Sequence, residues 1–170
     1  MKHYTSYYAN YKNIPKSHLC VGISRKCPQW FLENQDELKN FLWVKDNFLA
    51  PSEQLLNSTK RGSTDITEYK KQYIEELFKK TADMGYKDIP DFIHQADAHF
   101  STCLTPYDAI VFMCYEAPSE FCHRHLLRRL FNNVYHIECT EYGVKESDTW
   151  GYRPINIQPN EEIKNTTALF

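Results

Sequence analysis

Short apolar runs alternate with stretches of helical spacing along this chain. The runs at residues 4–9, 19–24 and 108–115 are rich in Tyr, Val and Ile, which favours short buried strands. The last of them has no polar alternation after Asp108, as is typical of a central strand that is covered on both faces of a parallel sheet. One more strand is predicted at residues 134–138.

Apolar residues at helical spacing fill much of the remaining chain. The predicted helices are residues 36–48, a helix that starts after Thr64 or Asp65, residues 91–100, and a helix that runs from residue 119 to residue 131. Pro51 ends the first of them. Glu68 stands three residues after Asp65, as in a capping box.

The order of these elements predicts an α/β fold. Strand, helix and strand follow one another within about 30 residues at the end of the chain, which is the spacing of a βαβ unit. We therefore expect a single compact three-layer Rossmann-like domain with a short, mainly parallel sheet. We place this domain at residues 1–140 and expect residues 141–170 to be a polar C-terminal extension, packed on it or trailing from it.

The amino-acid composition excludes some classes of binding partner. The chain of 170 residues has 20 Lys and Arg against 22 Asp and Glu, whereas proteins that bind polyanions in bulk are usually basic. Any contact with nucleic acid must therefore use a local patch. No apolar run reaches the roughly 18 residues that cross a bilayer, and the N-terminal residues lack the apolar stretch of a secretory signal. We expect a cytoplasmic protein with reduced cysteines and no membrane contact.

The most informative segment joins the central strand to the helix after it. It contains Glu116, Cys122, His123 and Arg124, and ligands of open α/β sheets bind beyond the carboxyl ends of the strands. An imidazole suits proton transfer near neutral pH, a guanidinium suits a phosphate, and neighbouring cations favour a thiolate. The helical wheel points His123 inward and places Arg124 at the rim.

A purely structural interpretation of the same residues stays open. His123 could be a core histidine bonded to a carbonyl group, and Cys122 could be a small buried hydrophobe. Arg124 could pair with Glu116 or Glu120.

Further candidates lie at the ends of the first two strands. If the strands are parallel, these ends meet the 116–125 turn at one edge of the sheet. The candidate ligand-binding residues there are Arg25, Thr5, Ser6, Ser24 and Tyr8, in addition to Arg124. For Arg25 the alternative is a surface arginine near Asp36.

A zinc-finger-like spacing is also present, as Cys122-x2-His125 and His136-x2-Cys139. In the predicted strand, however, His136 would share a face with Glu138 instead of Cys139. We therefore expect no metal at these residues, and no organic cofactor.

The stretch 109–127 carries a resemblance to a known family. An apolar strand, Glu116, a short loop with Pro118, and Cys-His-Arg at the start of a helix resemble the family of domain of unknown function 488. The resemblance covers most of residues 3–140 and implies a compact Rossmann-like α/β domain. A looser likeness to nucleoside deoxyribosyltransferases suggests nucleotide chemistry by analogy of fold.

These observations predict an enzyme, a hydrolase or transferase, that processes a nucleotide, a nucleoside or a nucleic acid, with N-glycosidic bond chemistry as one reaction class. His123 would move a proton, Glu116 would be the base or nucleophile, and Cys122 is the third catalytic candidate. Arg124 and Arg25 would hold the phosphate of a small phosphorylated ligand or a nucleic-acid end. The alternatives are a non-catalytic nucleotide or nucleic-acid binding protein, and a regulatory protein without a ligand.

Overall fold

The computed structural model describes residues 1–33, 38–45, 47–104 and 106–151 of the chain. One sheet contains β1 (Lys2–Tyr7), β2 (His18–Gly22), β3 (Phe41–Trp43), β4 (Ala109–Cys114) and β5 (Cys139–Glu141). Its strand order is β3-β2-β4-β1-β5, and neighbouring strands are parallel. The expected parallel α/β sheet is confirmed, with β4 at its centre.

Helices and helical turns connect the strands. They are a 3-10 helix at Tyr8–Asn13, α1 (Gln29–Leu32), α2 (Glu53–Lys60), α3 (Ile66–Asp83), α4 (Ile89–Thr102), α5 (His123–Arg129), a π-helical turn at Leu130–Val134 and a 3-10 turn at Glu146–Asp148. Asp65 is the N-cap of α3, as predicted, because its carboxylate accepts a hydrogen bond from the Glu68 backbone N–H at 2.8 Å.

The sheet lies between two apolar layers, which confirms the three-layer arrangement. Every residue of β4 is buried, and alternate residues face opposite layers. Ile110 and Phe112 pack with residues of α2, α3, α4 and α5 on one face. Val111 and Met113 pack with the first 3-10 helix and α1 on the other face. The absence of polar alternation in this segment therefore follows from burial on both sides.

Two predicted elements differ from the structure. Residues 36–48 do not form a helix in their described part, because Phe41–Trp43 pairs with β2 as an edge strand. The predicted strand at residues 134–138 is displaced to Cys139–Glu141, because the helix that follows β4 continues through the π-helical turn to Val134.

The strand order has a topological switch point at the carboxyl ends of two strands. The chain leaves β1 and crosses β4 to reach β2, whereas it leaves β4 and crosses β1 to reach β5. The two connections therefore run in opposite directions, and the reversal lies between β1 and β4. The last residues of β1 and β4, Tyr7 and Cys114, are register partners. Ligands of open α/β folds bind at such a switch point.

The first part of the predicted C-terminal extension packs on the domain. The Tyr142 backbone N–H donates to Thr5 O at 2.9 Å, and the Trp150 N–H donates to Pro118 O at 2.7 Å. Residues 152–170 lie outside the described residues, so the boundary after residue 140 stays a prediction. Among the described helices, none has the length and apolar character that a bilayer crossing needs.

Gly22 is required where β2 and β3 pack under the first 3-10 helix. A Cβ atom at this position would lie 2.9 Å from Trp43 Cδ1, 2.9 Å from the Tyr8 hydroxyl and 3.1 Å from Phe41 Cζ. These contacts are closer than packed carbon atoms allow, and Tyr8 is buried.

We therefore expect Gly22→Ala to lower the free energy of unfolding in urea by about 1–3 kcal/mol, as overpacking does. In the double variant with Tyr8→Phe, which removes one of the clashing atoms, the loss should be smaller than the sum of the two single losses. Wild-type stability of Gly22→Ala would show that this packing is wrong.

Candidate functional site

Two thiols and an imidazole meet at the carboxyl end of the central strand. Cys114 is the last residue of β4, Cys122 is the N-cap of α5, and His123 is the first residue of that helix. The Nδ1 atom of His123 lies 3.7 Å from the Cys114 sulfur and 3.9 Å from the Cys122 sulfur. All three side chains are buried. We call Cys114, Cys122 and His123 the thiol–imidazole cluster.

The orientation of His123 is fixed from two sides. Its Nε2 atom lies 3.0 Å from the carbonyl oxygen of Ile23, just after β2. A carbonyl oxygen only accepts, so Nε2 carries the proton of this hydrogen bond and Nδ1 faces the sulfurs. The ring of Tyr73 packs 5.5 Å from the imidazole centroid, and its hydroxyl donates to Leu49 O at 2.8 Å. The inward position that the helical wheel predicts for His123 is what the structure shows.

Glu116 stands between this cluster and solvent. Its carboxylate accepts a hydrogen bond from the Cys114 thiol, with sulfur and oxygen 3.6 Å apart, and its side chain is only partly buried. Burial, followed by the negative charge of Cys122, raises the pKa of Glu116 to about 7. A carboxyl group with such a pKa exchanges protons readily near neutral pH.

The charges within the cluster act on one another. Burial opposes ionisation of Cys122, but the hydrogen bond from Cys114 and the charges of His123 and Arg124 outweigh it and hold the thiol pKa well below its usual value. Burial also opposes protonation of His123, yet the Cys122 thiolate raises the imidazole pKa. Burial raises the pKa of Cys114 well above its usual value. Of the two thiols, Cys122 is therefore the one that ionises more readily.

Arg124 is buried, although the helical wheel places it at the rim. Its Nε–H donates to Glu141 Oε1 at 3.1 Å, and Glu141 also accepts from the Thr5 hydroxyl at 2.5 Å. The exposed fractions are 0% for Arg124, 3% for Glu141 and 0% for Thr5. The wheel considers only the faces of α5, whereas β5 and the segment after it cover this side of the helix. The purely structural interpretation of the sequence pairs Arg124 with Glu116 or Glu120, but its partner in the structure is Glu141.

Part of the hydrogen-bonding capacity of Arg124 is unused. Nη2 lies at ion-pair distance, 3.1 Å, from the same Glu141 oxygen, but neither Nη1 nor Nη2 has a hydrogen-bond partner in the described part of the chain. Buried guanidinium N–H groups are rarely left without an acceptor, because their desolvation is then uncompensated.

The finger-like set does not assemble. Both imidazole nitrogens of His125 are buried without a hydrogen bond, and burial and the charge of Arg124 lower its pKa to about 3. His136 is exposed, with a positive φ of 54°. Among the described residues, one group of at least three potential metal ligands has its ligand atoms within 4.8 Å of one another. That group is the thiol–imidazole cluster.

The remaining predicted ligand-binding residues lie around the site with partners of their own. Ser6 accepts from Asn10 Nδ2 at 3.1 Å on the other face of β1. The Ser24 hydroxyl donates to Lys26 O at 2.7 Å and lies 2.5 Å from the Tyr8 hydroxyl.

Arg25 pairs with Glu53 at 3.3 Å on the surface, and Asp36 lies outside the described residues. The structure thus brings together Glu116, Cys122, His123 and Arg124, and it links Thr5 to them through Glu141. Roles in binding for Arg25, Ser6, Ser24 and Tyr8 stay predictions.

Comparison with known proteins assigns the chain to a family. Residues 4–134 match a family model described as "Active DUF488-N3 subclade". The chain belongs to the DUF488 family. The match spans β1 to the end of the π-helical turn, so it includes the thiol–imidazole cluster, Glu116 and Arg124. The comparisons with curated proteins and with solved structures find no match.

Two residues of the site are not predicted from the sequence, Cys114 and Glu141. Cys114 looks like one more core residue in an apolar strand, and its signal is positional, since it is the final residue of the strand that precedes the Cys-His-Arg segment. Glu141 gives no local signal, because its importance comes from the pairing of β5 with β1.

Removing the charge of Glu141 tests the buried ion pair. Because Arg124 would stay charged without a counter-ion, Glu141→Gln should lower the free energy of unfolding by about 3–5 kcal/mol. Glu146→Gln is the matched control. The Glu146 side chain accepts from Arg128 Nη1 at 2.8 Å but is 48% exposed, so its loss should cost about 0–1 kcal/mol. Equal losses in urea unfolding would contradict the assignment.

Proposed function

We propose that this protein is an enzyme, a hydrolase or a transferase, that acts on a nucleotide, a nucleoside or a nucleic-acid end. The observation that carries the proposal is the buried Arg124 guanidinium with two nitrogens that lack hydrogen-bond partners among the described residues. It lies beside the thiol–imidazole cluster at the switch point of the sheet. The matched family model is described as active, which supports catalysis over binding alone.

An anionic group of the substrate is the best hydrogen-bond acceptor for the two Arg124 nitrogens that lack one among the described residues. The planar guanidinium presents parallel N–H groups, and a phosphate accepts two of them at once. Glu141 accepts from Nε and lies at ion-pair distance from Nη2. Nη1 and the N–H of Nη2 that points away from Glu141 are then the donors for the ligand. Because Glu141 already balances one positive charge, a phosphate in the site also needs positive charge or hydrogen-bond donors from its surroundings.

Glu116 is the residue best placed to exchange a proton with the substrate. Its carboxylate is partly exposed and touches the Cys114 thiol, whereas both nitrogens of His123 face protein atoms. In hydrolysis of an N-glycosidic bond, Glu116 gives its proton to the leaving base nitrogen, and water then adds a hydroxyl to the sugar carbon and returns a proton to Glu116. The proton-transfer role of His123 stays a prediction.

The phosphate-binding role predicts a charge-specific loss of affinity. Arg124→Lys replaces two parallel donors by a single ammonium. We expect it to weaken binding of a nucleoside 5′-monophosphate by about tenfold or more, with little change for the unphosphorylated nucleoside, as measured by calorimetry. Arg61→Lys, an exposed arginine outside the site, is the control.

The wild-type protein gives a test that does not depend on the fold of this variant. Inorganic phosphate should compete with the monophosphate, and the monophosphate should bind more tightly than its nucleoside. Equal affinities for the two ligands would overturn the role of Arg124.

The catalytic role of Glu116 is tested by Glu116→Gln. Nucleotides, nucleosides and short single strands are incubated with the protein, and products are identified by mass spectrometry. The variant should lose about 100-fold to 10,000-fold in turnover, the range of a lost acid–base group, and should keep ligand affinity. Glu120→Gln, in the same turn, is the control.

Each outcome of this assay decides between functions. Ligands that bind to the wild type and are recovered unchanged favour the non-catalytic binding protein. Unchanged turnover in Glu116→Gln would remove Glu116 from the mechanism.

A further inference from the structure

The thiol–imidazole cluster has the dimensions of a zinc site. Bond lengths of about 2.3 Å to sulfur and about 2.0 Å to nitrogen, arranged as a tetrahedron, separate a sulfur from a nitrogen by about 3.6 Å and two sulfurs by about 3.8 Å. The observed distances from His123 Nδ1 are 3.7 Å to the Cys114 sulfur and 3.9 Å to the Cys122 sulfur. All three ligand atoms lie within 4.8 Å of one another. The three atoms are therefore close enough to share one ion. The Cys114 sulfur also lies 3.9 Å from His123 Nε2, so the imidazole and this sulfur must shift relative to each other before the Nδ1 lone pair points at the ion.

The surroundings of His123 are those of a metal ligand. A histidine that binds a metal through one nitrogen usually donates the other N–H to a carbonyl or a carboxylate, which fixes the ring. His123 Nε2 makes this bond with Ile23 O at 3.0 Å. The nitrogen left for the ion is Nδ1, because Ile23 holds Nε2 and Nδ1 lies within 4 Å of both sulfurs.

The ligand types select the ion. Two thiolates and one imidazole suit zinc, whereas calcium and magnesium take oxygen ligands. Two thiolates also balance the double positive charge of the ion, so that the buried site becomes neutral and costs little desolvation. We propose that Cys114, Cys122 and His123 bind one Zn²⁺ ion through two thiolate sulfurs and Nδ1, and that any proton still held by the two sulfurs or by Nδ1 is released to solvent.

No fourth protein ligand joins these three among the residues that the structure describes. The carboxylate oxygens of Glu116 do not join the group of mutually close ligand atoms, although one lies 3.6 Å from the Cys114 sulfur. Three protein ligands with one free position are typical of catalytic zinc, which binds and activates water there. This step rests on the proposed function: Glu116, next to the open position, would accept the proton of that water.

Metal content and ligand identity test the site directly. The full chain is purified with a phosphine reductant, stripped with a chelator and titrated with Zn²⁺ against a chromogenic chelator. We expect one ion per chain. With Co²⁺ as the probe, sulfur-to-metal charge-transfer bands and tetrahedral d–d bands should appear. Cys114→Ser, Cys122→Ser and His123→Gln should each weaken Zn²⁺ binding by at least about 100-fold, more than loss of an outer hydrogen bond does.

Cys20→Ser is the matched control, because Cys20 is buried in the layer on the opposite face of the sheet. It should bind Zn²⁺ as the wild type does. If a variant of the cluster fails to fold, X-ray absorption of the wild-type zinc complex decides, and it should show two sulfur ligands at about 2.3 Å and nitrogen or oxygen ligands at about 2.0 Å.

Several results would overturn the proposal. The proposal is wrong if the folded, reduced protein does not bind Zn²⁺, or if it binds Cu⁺ but not Zn²⁺. It is also wrong if all three variants keep wild-type affinity for Zn²⁺, or if the X-ray absorption spectrum shows no sulfur ligands. These measurements do not use turnover. A protein that binds zinc through these residues and converts no nucleotide keeps the zinc site and loses the proposed function. Turnover that survives complete removal of zinc keeps the proposed function and excludes a catalytic role for the ion.

Discussion

The hydrogen bond between His123 and the Ile23 carbonyl determines the chemistry of this site. It connects the first residue of α5 to the end of β2, across the central strand β4. By occupying Nε2 it leaves Nδ1 toward Cys114 and Cys122. Because β4 supplies one sulfur and the N-cap of α5 the other, a single bond aligns three elements around one nitrogen.

A second constraint is the charge that α5 brings into the domain. Arg124 has no exposed surface, and a buried guanidinium requires a counter-ion. Glu141 supplies it from β5, a strand that lies beyond the residues matched by the family model. The segment that contains the site therefore depends electrostatically on a segment outside the match. Within the described residues, Nη1 and Nη2 of Arg124 have no hydrogen-bond partner, so the ion pair with Glu141 still leaves the donors on which the proposed phosphate site depends.

Local sequence patterns predict the structure correctly where each pattern is typical of a single kind of element. The apolar run before Cys114, the cap at Asp65 and the Cys-His-Arg segment predicted the central strand, α3 and the place of the site. Residues 41–43 were assigned to a helix, because three residues are too few to show the alternation of a strand and neighbouring apolar residues happened to have helical spacing.

Contacts between distant segments could not be predicted in this way. The burial of Arg124 depends on β5, and the proximity of Cys114 to Cys122 depends on how the turn closes over the end of β4. A helical wheel describes the faces of one helix but not which neighbours cover them. The pairing of β5 with β1 and the closure of this turn are tertiary features, which no local pattern specifies.

The two outer strands have a consequence for how copies of this chain meet one another. β3 and β5 are each three residues long, whereas the inner strands β1 and β4 are each six residues long. A short border exposes few free backbone groups that another chain could extend. A parallel sheet with such short margins resists edge-to-edge aggregation without relying on charged side chains as a barrier.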